Sequence, residues 1–276
     1  MTQLTVSANG AEIPAIGLGT WSLNDDVAIE CIGAAIRAGY RHVDTAIWYK
    51  NEEAVGQGLR ASGARRDDYF LTTKVPPESI GANDLVPAAE GSLKRLGVDR
   101  VDLLLIHWPN KDVPLKESIA ALCRAKRQGL ARHIGVSNFT MAMIDEAVAL
   151  ADEPLVANQC ENHPLIDQSR LIARTRSHGL AFVSYTPLGR GALAGKGPIA
   201  DAAKTHGRTA SQIVLRWHVQ QGLVAIPRSS NPGRIAENIG VFDFALTEAE
   251  MAAISALKRP DGRVVNPAFA PAWDTA

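Results

Sequence analysis

Cysteine is scarce in this chain: Cys31, Cys123 and Cys160 are the only ones in 276 residues. Odd in number and far apart, they form neither a disulfide framework nor a CxxC metal or redox pair. They read as free thiols of a protein kept in a reducing cytoplasm. Net charge is missing as well, because 29 basic side chains balance 29 acidic ones. The chain as a whole therefore has no pull toward nucleic acid or an anionic membrane, and any anion site has to be local. No apolar run approaches the ~18 residues that a membrane span needs. The first ten residues lack the basic start and apolar stretch of a secretion signal. Together these absences predict a soluble, cytoplasmic protein with neither a nucleic-acid nor a membrane partner. No surface stands out as a dimer face, so a monomer is expected.

What is present is a large apolar fraction, 46%, distributed in a regular alternation. Eight short runs carry it: Ala15–Leu18, Arg41–Asp44, Phe70–Val75, Val101–His107, Arg132–Val136, Leu155–Gln159, Leu180–Tyr185 and Leu223–Pro227. Val101 to Ile106 reads Val-Asp-Leu-Leu-Leu-Ile, the nearly unbroken pattern of a strand covered on both faces. Helical patterns lie between the runs. In Asp25–Ala38, residues Ala28, Cys31, Ile32, Ala35 and Ile36 share one face, and Gly39 follows as a stop. Thr209-Ala-Ser-Gln212 and Thr247-Glu-Ala-Glu250 are capping boxes. Gly97, Gly129, Gly179 and Gly222 each stand just before a strand run, where helices end. Pro87 falls in the first turn of a Leu85–Leu96 helix and predicts a later start. Gly189–Gly207 reads as a long loop after the seventh strand. Leu4–Pro14, centred on Asn9-Gly10, reads as a β-hairpin. Pro260–Ala276, with Trp273, reads as an irregular tail folded over one face. The expected fold is α/β: a single (β/α)8 TIM barrel over residues 1–276, with an N-terminal β-hairpin and a C-terminal loop over the active-site face.

Active sites of such barrels lie at the C-terminal ends of the strands. The runs end in Asp44, Lys74, His107, Ser137-Asn138, Asn158-Gln159, Tyr185 and Arg228-Ser229, and Tyr49 follows Asp44 by five residues. Alone, each has a plainer use: Lys74 as a solvated cation, Tyr49 as packing, Asp44 as a helix cap, His107 as a structural histidine. In one rim register they suggest proton donation to a carbonyl oxygen. A phenol has a pKa of ~10 in water. An adjacent ammonium favours its anion, so Lys74 is expected to lower the pKa of Tyr49 toward neutrality. Asp44 would hold Lys74, and His107 would orient the substrate oxygen. Hydride transfer to a carbonyl is a reaction that needs such a set.

The motifs themselves resemble those of the aldo-keto reductase family. They are Gly17-Leu-Gly-Thr-Trp21, Gly39-Tyr-Arg-His-Val-Asp-Thr-Ala46, Tyr49-Lys-Asn-Glu52, Thr72-Thr-Lys74, Leu105-Ile-His-Trp-Pro109, Gly135-Val-Ser-Asn-Phe139, Asn158-Gln159 and Ile226-Pro-Arg-Ser229, followed by Arg234 and Glu237-Asn238. Within the family the chain is most similar to bacterial 2,5-diketo-D-gluconate reductases of the kind that also reduce methylglyoxal, and the tail Gly262 to Asp274 supports that likeness. The resemblance implies a catalytic tetrad of Tyr49, Lys74, Asp44 and His107. It implies NADPH (NADP+) as cofactor, with Gly19, Thr20 and Leu188 among its contacts. Ser137, Asn138 and Gln159 would hold the carboxamide, and Tyr185 would stack on the nicotinamide. Arg228, Ser229 and Arg234 would meet the 2′-phosphate, with Glu237 and Asn238 near the adenine. Many members carry Lys at the position of Arg228, which keeps the charge and adds a planar fork. Trp21, Trp48 and Trp108 would wall a pocket for a small carbonyl substrate, and no metal is implied.

Other readings fit less well. Gly189-Arg-Gly191-Ala-Leu-Ala194 matches a dinucleotide fingerprint formally, but Gly195, Gly197 and Pro198 interrupt the helix it requires, and no acidic residue stands ~20 positions on. A metal hydrolase would have to gather His42, Asp44, His107 and His163 without an HExxH or His-x-His pair. A non-catalytic, nucleotide-binding regulatory barrel remains as the alternative to an enzyme.

Overall fold

Asn9-Gly10 folds the first two strands onto each other. β1 (Thr5–Ala8) and β2 (Ala11–Pro14) pair antiparallel. The turn residues have φ of 44° and 90°, the left-handed geometry whose twist matches a two-residue hairpin. The computed structural model describes residues 4–193, 195 and 197–274. Among them, eight further strands form one parallel sheet in chain order: β3 (Leu18–Gly19), β4 (His42–Asp44), β5 (Phe70–Val75), β6 (Val101–Ile106), β7 (Ala131–Ser137), β8 (Leu155–Glu161), β9 (Ala181–Tyr185) and β10 (Val224–Ala225). The two edges meet. Gly17 N donates to Ala225 O at 2.9 Å, Ala225 N to Ala15 O at 2.9 Å and Gly19 N to Pro227 O at 3.0 Å. The eight-stranded sheet is therefore closed on itself as a barrel.

Two apolar layers result. Inside the barrel, Leu103, Leu105, Ala157, Val183, Val224 and Ile226 pack together. The hairpin residues Ala8, Ala11 and Ile13 join them, and Asn9 Nδ2 donates to Leu155 O at the start of β8, 2.8 Å away. The hairpin thus plugs the N-terminal mouth and leaves the opposite one open. Outside, the strands are covered by α1 (Asp25–Ala38), α2 (Glu52–Ala61), α3 (Leu85–Leu96), α4 (Leu115–Arg127), α5 (Met141–Leu150), α6 (Ser169–Ser177), α7 (Gly197–His206), α8 (Ala210–Gln220), α9 (Pro232–Ile239) and α10 (Glu248–Ser255). Every residue of β6 is buried, as its continuous apolar pattern demands. No helix among the described residues is long and apolar enough to cross a membrane.

The caps follow the chemistry read from the chain. Asn24 accepts from Val27 N, Gly39 closes α1 with φ 105°, and Thr209 and Thr247 both build complete capping boxes. Two expectations fail. The α3 helix starts at Leu85 and takes Pro87 into its first turn, where the missing N–H has no intrahelical acceptor to lose. The Gly189–Gly207 segment is not one loop. It holds a short turn at Gly189–Gly191 and then α7. Pro198 sits in the first turn of α7, and Ile199 and Ala202 bury against Leu193, Trp217 and Leu246. Tertiary burial overrides the breaker signal of Gly197-Pro198. Ala194, the last residue of the dinucleotide-like motif, lies outside the described residues, as do residues 275 and 276 of the tail.

Two helical glycines separate packing from propensity. A Cβ on Gly56 in α2 would fall on the backbone carbonyl of Leu96. A Cβ on Gly91 in α3 would meet only the end of the Arg95 side chain, at 3.3 Å. Gly56→Ala is expected to destabilise by about 1–3 kcal/mol, and Gly91→Ala to stabilise by about 0.5–1 kcal/mol. Urea unfolding of the two variants checks this, and equal effects of the same sign would contradict the packing described.

Candidate active site

Alternation along the strands puts one ionisable group after another at the open mouth. Asp44 ends β4 opposite Thr72, and Lys74 on β5 stands opposite Leu105 on β6. Between β4 and α2 the chain makes a 3-10 turn, Ile47–Tyr49, which Lys50 ends at φ 56°. Asn51 pins this stretch: its Nδ2 donates to Thr20 O at 2.9 Å and Leu23 O at 3.0 Å, and its Oδ1 accepts from Thr45 Oγ1 at 3.3 Å. Tyr49 is thereby held over Lys74.

The Lys74 side chain is completely shielded from solvent. Its Nζ donates to Asp44 Oδ1 at 2.5 Å and Thr45 O at 2.8 Å, and lies 3.4 Å from the Tyr49 hydroxyl. The other Asp44 oxygen, Oδ2, accepts from Gln159 Nε2 at 2.8 Å. His107 packs edge-on to Tyr49, ring centroids 5.7 Å apart, and against Trp48 at 5.4 Å. Burial alone would depress the Lys74 pKa, but Asp44 and Tyr49 together raise it, so the amine is an ammonium at neutral pH.

Tyr49 departs from expectation. The withdrawal of water from its hydroxyl raises its pKa above the ordinary phenol value; Lys74 pulls it down and Asp44 pushes it up again, and the net shift is upward. The ammonium that was expected to lower the pKa is largely answered by its own carboxylate. Tyr49 is therefore a neutral phenol at neutral pH. His107 is held well below the usual histidine range by burial and then by Lys74, so its ring is neutral. The set comprises one neutral phenol, one neutral imidazole and one compensated ion pair.

One cavity of about 1250 Å3 joins this cluster to the far side of the mouth. Its wall includes Asp44, Tyr49 and His107 at one end and Arg228, Ser229, Arg234, Glu237 and Asn238 at the other, with Gly19, Thr20, Asn138, Gln159, Tyr185 and Leu188 between them. Tyr185 donates to Asn138 Oδ1 at 2.7 Å. Asn138 adopts φ 63°, which turns its Nδ2 back onto His107 O at 2.9 Å. Ser137 is not part of the wall. It is fully buried behind it and donates to Gln159 O at 2.8 Å. Trp21, Trp48 and Trp108 all line the cavity; Trp108 is buried, and Trp21 and Trp48 are exposed at its rim.

The far end suits an extended, anionic nucleotide. Arg228 reaches Trp21 O and Ser22 O, both at 3.3 Å. Neither Arg228 nor Arg234 has a carboxylate partner among the described residues. Asn238 Oδ1 is buried there without a hydrogen-bond partner among the described residues, and His107 Nδ1 is likewise buried and unpaired at the near end. Buried polar atoms without partners are rare, and both of these residues line the cavity. Of the four side chains a metal hydrolase would need, three are bonded elsewhere: His42 to Thr72 Oγ1 at 3.1 Å, Asp44 to Lys74 Nζ at 2.5 Å and His163 to Glu161 at 2.9 Å.

Sequence reasoning missed part of the wall. Arg190 lies over the ring of Trp21, 5.1 Å from its centroid, and Phe269 stands between Trp48 and Trp108. Arg190 sits in the Gly189–Gly191 turn and Phe269 in the tail, where no periodicity reports which side chain points inward.

The sequence model of the aldo/keto reductase family matches residues 15–259. The chain is 42% identical to morphine 6-dehydrogenase of Pseudomonas putida over 94% of both chains. It is 39% identical to the methylglyoxal reductase DkgB of Salmonella typhi, covering 95% of this chain and 99% of that one. Among solved structures, one designated a candidate 2,5-diketo-D-gluconic acid reductase B superposes with a TM-score of 0.97 at 41% identity, over 99% of this chain and 98% of that one. A Bombyx mori aldo-keto reductase in complex with NADP superposes with a TM-score of 0.89 at 35% identity, over 97% and 96% of the two chains.

The raised pKa of Tyr49 fixes a sign: its neutral form is favoured, so ionisation is delayed to higher pH. A near-ultraviolet difference titration of the native chain against Tyr49→Phe is expected to show no tyrosinate from Tyr49 below about pH 10. Tyrosinate assignable to Tyr49 at roughly pH 7–9 would restore the opposite ordering.

Proposed function

The chain belongs to the aldo/keto reductase family, and from that premise we propose that it reduces small aldehydes, ketones and dicarbonyls to alcohols with NADPH, Tyr49 donating the proton. Substrates of the methylglyoxal or 2,5-diketo-D-gluconate type fit the aromatic mouth best. The observation that carries this reading is the Tyr49 hydroxyl 3.4 Å from an ammonium that is itself locked to Asp44.

Bound along the groove, NADPH supplies the hydride for the carbonyl carbon. Asn138 and Gln159 would hold its carboxamide, with Ser137 buttressing them from behind, and Tyr185 would lie against the nicotinamide. Gly19, Thr20 and Leu188 would follow its length. Arg228, Ser229 and Arg234 would take the 2′-phosphate, where a planar guanidinium suits phosphate oxygens. Glu237 and Asn238 would sit at the adenine.

The chain's own residues then do the rest. His107, neutral and wedged between Trp48 and Tyr49, donates a hydrogen bond to the substrate oxygen and fixes its direction. As negative charge grows on that oxygen, Tyr49 gives up its proton to it. The phenolate left behind faces Lys74, whose charge stabilises it in a site that excludes water. Asp44, gripped by Gln159, keeps Lys74 from drifting and answers its charge before the reaction begins. Trp21, Trp48 and Trp108 limit the substrate to something narrow. The three buried thiols support work in the cytoplasm, and we read residues 1–276 as one catalytic domain acting as a monomer, without nucleic-acid or membrane partner.

Tyr49→Phe is expected to lower kcat by ~10^2-fold or more while the Kd for NADPH stays nearly unchanged. Steady-state assays with methylglyoxal and a fluorescence titration measure both. Unaltered kcat would remove Tyr49 from the chemistry, and an absence of turnover on any carbonyl by a native chain that still binds NADPH would favour a regulatory barrel. Arg234→Ala is expected to weaken NADPH by ~10-fold or more and NADH little, since only the former has the 2′-phosphate. Equal losses for both cofactors would displace Arg234 from that role.

A further inference from the structure

Glu161 is a buried carboxylate that the proposed chemistry leaves unused. It ends β8, two residues beyond Gln159, and its side chain has no solvent exposure. A carboxylate in that position is unfavourable unless its oxygens are answered by donors. They are: Val264 N donates to Oε1 at 2.7 Å, Val265 N to Oε2 at 2.9 Å and His163 Nε2 lies 2.9 Å from Oε1, while the Arg263 guanidinium adds only its charge, Nη1 standing 3.8 Å from Oε2 and beyond hydrogen-bond reach. Three of these four groups belong to the C-terminal segment.

Other ties also place that segment, among them Lys258 Nζ to Asp167 Oδ2 at 2.5 Å and the Trp273 ring edge-on to Trp108 with centroids 6.0 Å apart. Beyond α10 the described residues form no further helix or strand. Arg259 N donates to Leu165 O at 3.1 Å, and a Cβ on Gly262 would fall on that same carbonyl, so the chain passes close against the barrel there. Its next ties are Trp273 Nε1 to Asn266 Oδ1 at 2.9 Å, the Arg263 guanidinium stacked 3.7 Å from the Trp273 ring centroid, and Asp274 accepting from Met141 N at 3.0 Å. Between these ties Val264, Val265 and Phe269 enter the wall of the cavity that contains Tyr49. Phe269 packs edge-on to Trp48 at 5.8 Å and Trp108 at 5.4 Å, yet is 52% exposed. It stands at the open side of the aromatic wall.

We propose that Glu161 is a positioning residue for substrate selection: its carboxylate clasps the backbone at 264–265 and so sets how far Phe269 closes the mouth over Tyr49 and His107. This rests on the reductase reading for the substrate, but the clasp itself does not. Two adjacent backbone N–H groups held by two oxygens of one rigid carboxylate fix the register of the segment, and a slip of one residue would carry Phe269 by ~3.4 Å. β8 thus supplies both Gln159, which steadies Asp44, and Glu161, which steadies the opposite wall. Substrate width and proton donor are referenced to one strand.

Three measurements test the clasp. In the native chain, the Val264 and Val265 amides should exchange with solvent more slowly than the amides around Phe269; equal exchange overturns the clasp without any variant. Glu161→Gln replaces one acceptor oxygen by a donor, so only one backbone amide can remain bonded. Trypsin should then cleave after Arg263 at least ~10-fold faster than in the native chain, through local opening. In the same variant, kcat/KM for methylglyoxal relative to a bulky aryl ketone should fall by ~10-fold, mainly through KM, with NADPH affinity unchanged. Phe269→Ala should give a similar change, and the double variant should add little to either single one. Protected amides with an unchanged substrate ratio in both variants would overturn the selecting role alone, whereas a native chain inactive on every carbonyl would overturn it together with the reductase reading.

Discussion

An ammonium sealed from water is unfavourable by several kcal/mol unless its charge is answered at contact distance. Lys74 meets that condition inside the barrel because β4 and β5 pair with Asp44 opposite Thr72, so that Lys74, two residues further along the same strand face, reaches the Asp44 carboxylate at 2.5 Å. The pair then constrains its surroundings. Asp44 has a second oxygen to satisfy, and Gln159 from β8, across the barrel, satisfies it. Lys74 has a second donor to place, and Thr45 O takes it at the point where the chain leaves β4 for the turn that carries Tyr49. One ion pair thus connects two opposite sides of the sheet to the proton-donating loop. Removing either partner would leave the other charged and buried, so the cluster behaves as a unit, not as a sum of contacts.

Burial first, and then this pairing, explain why the phenol is not acidified. A lone ammonium would stabilise the phenolate strongly, but an ammonium already matched by a carboxylate presents a dipole. The consequence suits a donor. In the proposed reaction Tyr49 would keep its proton until charge appears on a neighbouring oxygen, and the ion pair would act at that moment, when the phenolate forms. Differential stabilisation of this kind, absent in the resting state and present as charge develops, is what lowers a barrier.

The barrel and its rim were legible in the sequence because strand periodicity is strict. Apolar runs bounded by glycine stops located the strands, and the residue ending each run was, with few exceptions, at the open mouth. Asp44, Lys74 and His107 follow from that rule alone. Tyr49 does not, since it sits in a 3-10 turn whose orientation depends on Asn51 reaching Thr20 O and Leu23 O; it entered the rim set through its spacing of five residues from Asp44, and the family motif agrees with that place. The helix Gly197–His206 was unreadable because Gly-Pro signals a break locally, whereas the burial of Ile199 and Ala202 is decided by α8 and α10, far along the chain. Phe269 was invisible for a related reason. An irregular tail lacks the two-residue alternation that tells the inner face of a strand from its outer one. Its inward side is set instead by Glu161, far earlier in the chain.

The charge of the whole chain is zero, yet the groove is not neutral along its length. Arg190, Arg228 and Arg234 stand along it without carboxylate partners among the described residues, whereas at the other end the charges cancel within the Lys74–Asp44 pair. An anion entering such a groove meets excess positive charge at the arginine end, where Glu237 is the carboxylate in the wall, and a matched ion pair at the other. The end near Lys74 is left to be shaped by aromatic surface and two neutral hydrogen-bonding groups. That division lets the same catalytic cluster serve carbonyls of different shape, because what distinguishes them is met by Trp48, Trp108 and Phe269 and not by the ion pair.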